Sequence, residues 1–238
     1  MQIAGTTALV TGAGRGLGAA LVEQLLARGA AKVYATARRP DGVQARERVE
    51  VIGLDVTDPS SVATAAALAG DVRLLVNNAG SARFGHALAV ERSAVEEEFA
   101  VNFFGQLEMV RAFLPSLQRQ GGAVVNLLSL LSYAPAPPMA GYSAAKAAAA
   151  SLTQSLRADL APGITVHGVY PGGIDTEMLA SSGNTTPKTS AVTVAKNVLA
   201  GVEAGDADIY PDPTSVQSAQ LWASDPRSYA RLVVEATW

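Results

Sequence analysis

Short runs of apolar and β-branched residues alternate along the chain with longer stretches whose apolar positions recur every three or four residues. The short runs cover residues 7–11, 32–37, 49–55, 72–77, 123–129 and 164–170. None shows the in-and-out alternation of a half-exposed strand, so each is expected to be a strand covered on both faces. Helical spacing marks 16–27, 60–68, 91–117, 142–160 and 192–203, while 39–48 leaves room for only a short helix. Strand and helix in repeated alternation predict a doubly wound α/β fold, a Rossmann-like parallel sheet with helices on both faces. After it, 208–211 reads as a seventh strand, and 215–223 and 227–236 read as apolar helical segments. No Ser/Pro-rich linker, repeat or charge block divides the chain, so a single domain over 1–238 is expected.

Composition narrows the function classes. Apolar residues make up 49% and charged residues 16%, which excludes a disordered chain. Eighteen Lys and Arg against twenty-one Asp and Glu give a net charge of −3, so nothing drives binding to nucleic acid or to an anionic membrane. Without cysteine there is no thiolate metal site and no thiol nucleophile, and no metal is expected. His86, in a loop, and His167, in the sixth strand, read as structural. No stretch approaches the roughly 20 apolar residues of a membrane span, and residues 1–5 lack a signal segment, so a soluble cytoplasmic protein is expected.

The chemistry concentrates at the ends of the expected strands. Between the first strand and first helix stands Thr11-Gly12-Ala13-Gly14-Arg15-Gly16-Leu17-Gly18. Glycines there let the backbone turn sharply and approach a pyrophosphate, which the helix N-terminus attracts, so Gly12, Arg15, Gly16, Leu17 and Gly18 are candidates for a dinucleotide site. Tyr142 and Lys146, four apart at the start of a helix, share one face. An ammonium beside a phenol favours the phenolate, so the pair is expected to act as a general acid and base with a lowered tyrosine pKa. Ser129 ends the fifth strand at the sheet edge where ligands collect, placed to hold a substrate oxygen.

These residues resemble the short-chain dehydrogenase/reductase family. Gly12, Gly16 and Gly18 behind Thr11 match its TGxxxGxG turn, Asn77-Asn78-Ala79-Gly80 its NNAG element, and Pro171-Gly172-Gly173-Ile174-Asp175-Thr176 its PGxIxT loop beside the nicotinamide. The resemblance runs from Thr7 to about Thr176. It implies a hydride-transferring oxidoreductase with Asn102, Ser129, Tyr142 and Lys146 as catalytic residues. Asp55 and Val56 would lie by the adenine, Asn78, Ala79 and Gly80 along the cofactor, and Pro171, Gly172, Ile174 and Thr176 by the nicotinamide. Lys146 would also contact the nicotinamide ribose, and Asn102 would hold a water that links Lys146 to solvent. Leu128 replaces a serine common before Ser129, and the VDGG-like ending common at this length is missing.

A dinucleotide-dependent regulator on the same fold would be expected to lack one of Ser129, Tyr142 and Lys146, and all are present. A hydrolase would need a G-x-S-x-G elbow, which does not occur. NADP(H) is expected over the alternative NAD(H), because the second strand ends in Thr36-Ala37-Arg38-Arg39 with no acid for a ribose hydroxyl, while Arg38 and Arg15 can flank a 2′-phosphate. The loops 81–87, 130–141 and 177–191 would shape the substrate site, the last as the main substrate loop. Phe84, Leu130, Leu131, Tyr133, Met139, Met178 and Leu179 would give an apolar pocket for a small carbonyl or alcohol. The helices over 91–117 and 142–160 are apolar on more than one face, including Phe99, Phe103, Leu107 and the alanines 147–150, which predicts a homo-oligomer, a dimer or tetramer.

Overall fold

A computed structural model of the chain describes residues 1–180 and 188–236. Seven parallel strands form the sheet: β1 (Thr7–Val10), β2 (Lys32–Ala37), β3 (Val49–Gly53), β4 (Leu74–Asn77), β5 (Ala123–Leu127), β6 (Thr165–Val169) and, numbered after two short strands described below, β9 (Asp208–Ile209). Their order is β3-β2-β1-β4-β5-β6-β9, so the order in which strands are added reverses between β1 and β4, where an open α/β sheet forms its crevice. β1, β3, β5, β6 and β9 end one or two residues before the expected boundary, β2 matches it, and β4 begins two residues late.

Two layers cover the sheet. On one face α1 (Gly16–Ala27) packs beside α7 (Ala191–Ala204), and Leu21, Leu25, Val194, Val198 and Leu199 join Val10, Val33 and Val76 in one core. On the other, α2 (Pro59–Leu68), α4 (Gly105–Gln120) and α5 (Ala140–Leu160) bury Val62, Met109, Phe113, Leu117 and Leu156 against Leu9, Leu75 and Val124. Removing a leucine- or phenylalanine-sized side chain from water is worth about 1.5–3 kcal/mol, so these two cores are the main source of stability.

A polar chain crosses the second core. Asn77 Nδ2 donates to Asn126 Oδ1 at 2.9 Å, Asn126 Nδ2 donates to Thr153 Oγ1 at 3.0 Å, and Thr153 donates to the Ala149 carbonyl at 2.8 Å. The chain ties β4, β5 and α5 in one register, at the level of the site.

The segment expected as one helix over 91–117 is interrupted. α3 (Arg92–Phe99) passes through a π turn, Ala100–Phe104, into α4. Apolar spacing continues through the insertion, which is why sequence periodicity did not register it. The short helix expected in 39–48 is a single 3₁₀ turn, Pro40–Gly42, and Pro40 presets its φ.

After β6 come β7 (Ile174–Asp175), α6 (Glu177–Ala180) and β8 (Thr189–Ser190), with β7 paired to β8. Residues 181–187 of the expected substrate loop lie outside the described residues. The tail forms α8 (Pro213–Ser224) and α9 (Pro226–Glu235). Three helices open alike, with an aspartate cap before a proline: Asp58, Asp212 and Asp225 accept from the backbone N–H of Ser60, Ser215 and Ser228.

The tail folds back on the loop after β5. Trp222 stacks on Tyr133 with ring centres 5.3 Å apart, Tyr133 on Tyr170 at 4.9 Å, and Tyr170 against Tyr210 at 5.6 Å. Tyr229 donates to the Leu130 carbonyl at 3.2 Å.

Candidate active site

A cleft of about 690 Å³ opens along the carboxyl ends of the strands. Of the residues expected from sequence, Gly12, Arg15, Gly16, Leu17, Gly18, Arg38, Asp55, Val56, Asn78, Ala79, Gly80, Tyr142, Lys146, Pro171, Ile174 and Thr176 line it. Gly172 does not. Its N–H donates to Asp212 Oδ2 at 2.9 Å, and a Cβ built on it would stand 2.9 Å from Asp212 Oδ1, so Gly172 faces the tail.

The glycine turn is shaped by close approach. Gly12 and Gly16 adopt φ values of +67° and +54°, which L side chains disfavour. A Cβ on Gly18 would lie 2.1 Å from the Gly12 carbonyl, so the turn closes only without one. The N-cap residue Arg15 makes no side-chain cap to α1, whose first turn lines the cleft with the positive end of the helix dipole.

Thr11, at the start of the turn, and Asn78, just after the neighbouring strand β4, lock the two together. Thr11 Oγ1 accepts from the N–H groups of Asn78 and Ala79 at 2.9 and 2.8 Å, and Asn78 Nδ2 donates to the Thr11 carbonyl at 2.8 Å. Asp55 is held by its own turn, accepting from the Thr57 N–H and hydroxyl at 2.9 and 2.7 Å. The cradle therefore has the shape, the uncapped helix N-terminus and the cationic rim that an adenine dinucleotide requires. Arg38 is exposed on that rim, and Arg15 forms an ion pair with Glu177 in which both side chains are 73% exposed.

At the other end stand the catalytic candidates. Tyr142 and Lys146 lie one turn apart on α5, and the Ser129 hydroxyl stands by the Tyr142 phenol, where it favours the ionised form. Ser129 is buried in extended backbone after β5, and its oxygen also accepts from the Leu131 N–H at 3.1 Å. Lys146 is 3% exposed and donates to the Leu127 carbonyl at 2.6 Å. Asn102, in the π turn, donates to the Ser81 carbonyl at 2.8 Å and accepts from the Ser81 N–H at 3.3 Å. A Cβ on Gly80 would lie 3.1 Å from Asn102 Oδ1 and 3.9 Å from Lys146 Nζ, so all three meet at one point behind the cleft wall.

The electrostatics correct one expectation. Burial pushes the Tyr142 phenol up to about 12, against the lowering effect of the Ser129 hydroxyl, and pushes Lys146 down from 10.5 to about 7. Desolvation outweighs the attraction because the ammonium is turned toward Leu127 and stands 5.7 Å from the centre of the tyrosine ring.

The apolar pocket is also corrected. Leu130 is buried beside Tyr170, and Met139 beside Tyr229 and Val233, with Leu131 and Tyr133 packed against these groups. Of the expected lining residues Met178 is on the cleft wall, and Phe84 is exposed. The tail covers Leu131, Tyr133 and Met139 and reaches Leu130 through the Tyr229 hydroxyl. Leu128, in place of the serine, is buried in the same aromatic cluster.

Sequence reasoning missed Gln106, which donates to the Leu127 carbonyl at 3.3 Å, Asn126, and the buried carboxyl of Glu98. Gln106 and Asn126 are polar residues within otherwise inward-facing apolar patterns, and that mismatch is the available signal, whereas Glu98 stands in a run of three acids and gives none. His86 lies outside the cleft lining, and His167 is buried with Nδ1 2.6 Å from the Asp206 carbonyl oxygen.

A doubly wound parallel sheet with a glycine-turn cleft and a Ser–Tyr–Lys cluster at its edge defines a dinucleotide-dependent oxidoreductase. The short chain dehydrogenase family model matches residues 6–187, and the chain belongs to the short-chain dehydrogenase/reductase family, acting on CH–OH or C=O groups. A short chain dehydrogenase from Burkholderia cenocepacia, solved in complex with NADP, shares 44% identity with a TM-score of 0.93, over 98% of this chain and 99% of that one. A 3-oxoacyl-(acyl-carrier-protein) reductase from Vibrio cholerae is 32% identical over 96% of this chain and 93% of its own length. The short-chain dehydrogenase PC-15 of Penicillium crustosum is 32% identical over 84% of this chain and 77% of its own. Among the described residues no helix is long and apolar enough to cross a membrane, and no group of His, Asp and Glu is arranged to hold a metal ion.

Proposed function

We propose that the protein is an NADP(H)-preferring carbonyl reductase and alcohol dehydrogenase in which Tyr142 is the general acid and base. The observation that carries this is the placement of Tyr142 and Lys146 on the wall of the same cleft as the glycine turn, with the Ser129 hydroxyl beside the phenol. A bound nicotinamide supplies or accepts the hydride. In reduction Ser129 holds the carbonyl oxygen, and Tyr142 transfers its proton to that oxygen as the C=O π bond opens. Lys146 holds the nicotinamide ribose and, once charged, stabilises the phenolate left on Tyr142. Asn102 supports Lys146 from behind Gly80 and orders the water through which the proton is replaced.

Arg38 and Arg15 favour the 2′-phosphate of NADP(H), and the Burkholderia relative solved with NADP supports this preference. NAD(H) is the weaker alternative. Releasing Arg15 from Glu177 costs little, since an exposed ion pair is worth at most about 1 kcal/mol. The whole chain serves as one binding and catalytic domain, with 177–191 as the substrate loop and Met178 its contact with a small, mainly apolar carbonyl or alcohol. The exposed Phe104 and the half-buried Phe103 and Leu107 on the interrupted helix support a homo-oligomer paired through this face.

A panel of ketones, aldehydes and secondary alcohols, followed by NADPH oxidation or NADP reduction, tests the activity. Tyr142→Phe is expected to bind NADPH nearly as the wild type does and to lose roughly 10²- to 10⁴-fold in turnover. Ordinary turnover by that variant removes Tyr142 from the mechanism.

A further inference from the structure

Glu98, in the last turn of α3, is fully buried, and nothing in the mechanism above uses it. Its Oε1 accepts from the Arg83 N–H at 2.8 Å. Its Oε2 has no hydrogen-bond partner among the described residues. That second oxygen is pressed against the first turn of α5: a Cβ built on Gly141 would stand 2.2 Å from it. Only glycine admits the carboxyl there, and the next residue is Tyr142.

Among the described residues no cation forms an ion pair with this carboxyl. The Arg83 guanidinium turns to Glu97 on the same helix, with Nη2 at 2.8 Å from Oε2. On α5, the Lys146 ammonium is committed to Leu127, and the Ser143 hydroxyl is buried without a partner among the described residues. Asn102, one turn further along from Glu98, is neutral and holds both backbone groups of Ser81. Asn102 and Glu98 together therefore clamp the segment Ser81–Arg83, which borders the cleft through Ser81.

We propose that Glu98 is a positioning residue of the reaction: one carboxyl oxygen fixes the substrate-side loop at Arg83, and the other, against Gly141, sets the field in which Tyr142 exchanges its proton. Glu98 neither gives nor takes a proton in the step. Its negative charge opposes formation of the phenolate and so extends the pH range over which Tyr142 stays protonated, in agreement with the direction of its effect on the phenol. Burial holds the Glu98 carboxyl above the ordinary carboxylate range, so this charge is present only above that raised value.

The proposal rests on Tyr142 as the acid and base, and its test separates the two. In Glu98→Gln the amide keeps the acceptor for Arg83 and removes the charge. With saturating NADP(H), and acetophenone and 1-phenylethanol as probes, the pH midpoints for reduction and for oxidation are expected to move down together by about one unit, as expected for a unit charge removed from the protein interior. The two proteins are expected to coincide at low pH, where Glu98 is protonated in the wild type. Glu98→Ala is expected in addition to raise the KM for acetophenone, because the loop clamp is lost.

A second readout needs no substrate. The tyrosinate absorbance of the cofactor-free protein is titrated for the wild type and Glu98→Gln, each corrected by its Tyr142→Phe counterpart. A downward shift in the Glu98→Gln difference curve supports the proposal, and coincident curves overturn it whatever the turnover. Full turnover in Tyr142→Phe instead overturns the catalytic reading, and the absorbance curves still decide whether Glu98 acts on the phenol.

Discussion

Lys146 holds its ammonium nitrogen 5.7 Å from the centre of the Tyr142 ring and donates back into the sheet at Leu127. The two groups meet across the ring face rather than through a hydrogen bond, and each is governed chiefly by its own burial. The lysine holds a proton in the unfolded chain up to its ordinary 10.5 but releases it near 7 when folded. Below about 7 the folded state carries a buried charge, and that penalty is relieved as pH rises from 7 toward 10.5. Lys146→Met is therefore expected to stabilise the cofactor-free protein most at pH 6 and progressively less above it. The difference should change by at most about 1.4 kcal/mol per pH unit. Chemical denaturation of both proteins across this range checks it, and parallel curves would remove the buried-charge account.

The glycine turn separates two substitutions that look alike on paper. Gly18→Ala places a methyl 2.1 Å from the Gly12 carbonyl and 2.6 Å from Asn78 Nδ2, so the turn must open. Gly14→Ala meets Ala37 and Val43 at 3.6 and 3.7 Å, ordinary contacts, without a positive φ. Melting of the cofactor-free variants should show Gly18→Ala strongly destabilised and Gly14→Ala close to wild type.

Arg38→Ala should weaken NADPH by about ten- to a hundredfold while leaving NADH nearly unchanged, since a hydrogen bond to a charged group is worth about 1.5–3 kcal/mol. Fluorescence titrations with the two cofactors measure this, and equal losses for both would count against the phosphate contact.

Asp212 has two duties: it caps α8 through the Ser215 N–H at 2.9 Å and tethers Gly172 at the same distance. Asp212→Ala should cost about 2 kcal/mol through the lost cap and the unpaired N–H. It should also weaken NADPH binding, because Pro171 and Ile174 on either side of the tether line the cleft. Asp212→Asn, which keeps an acceptor, should retain most of both.

The sheet was legible because parallel strands buried on both faces leave unmistakable apolar runs such as Ala8-Leu9-Val10 and Val124-Val125. The cleft residues were legible because backbone geometry there demands particular residue types, as at Gly18. What escaped was set by distant packing. Leu130 and Met139 are equally suited to line a pocket or to lie under a helix, and the covering helices begin more than seventy residues later, at Pro213. The π turn at Asn102 leaves no trace in spacing, and Glu98 reads as one more acid in Glu96-Glu97-Glu98 until α5 is folded against it.

The stack of Trp222, Tyr133, Tyr170 and Tyr210 draws its rings from the loop after β5, the end of β6, the segment after β9 and α8. A chimera made with a relative that joins the two sequences anywhere between Tyr133 and Trp222 would bring rings of different ancestry face to face. Successful crossovers should therefore fall before residue 128, so that the aromatic wall and the helices behind it are exchanged as one block.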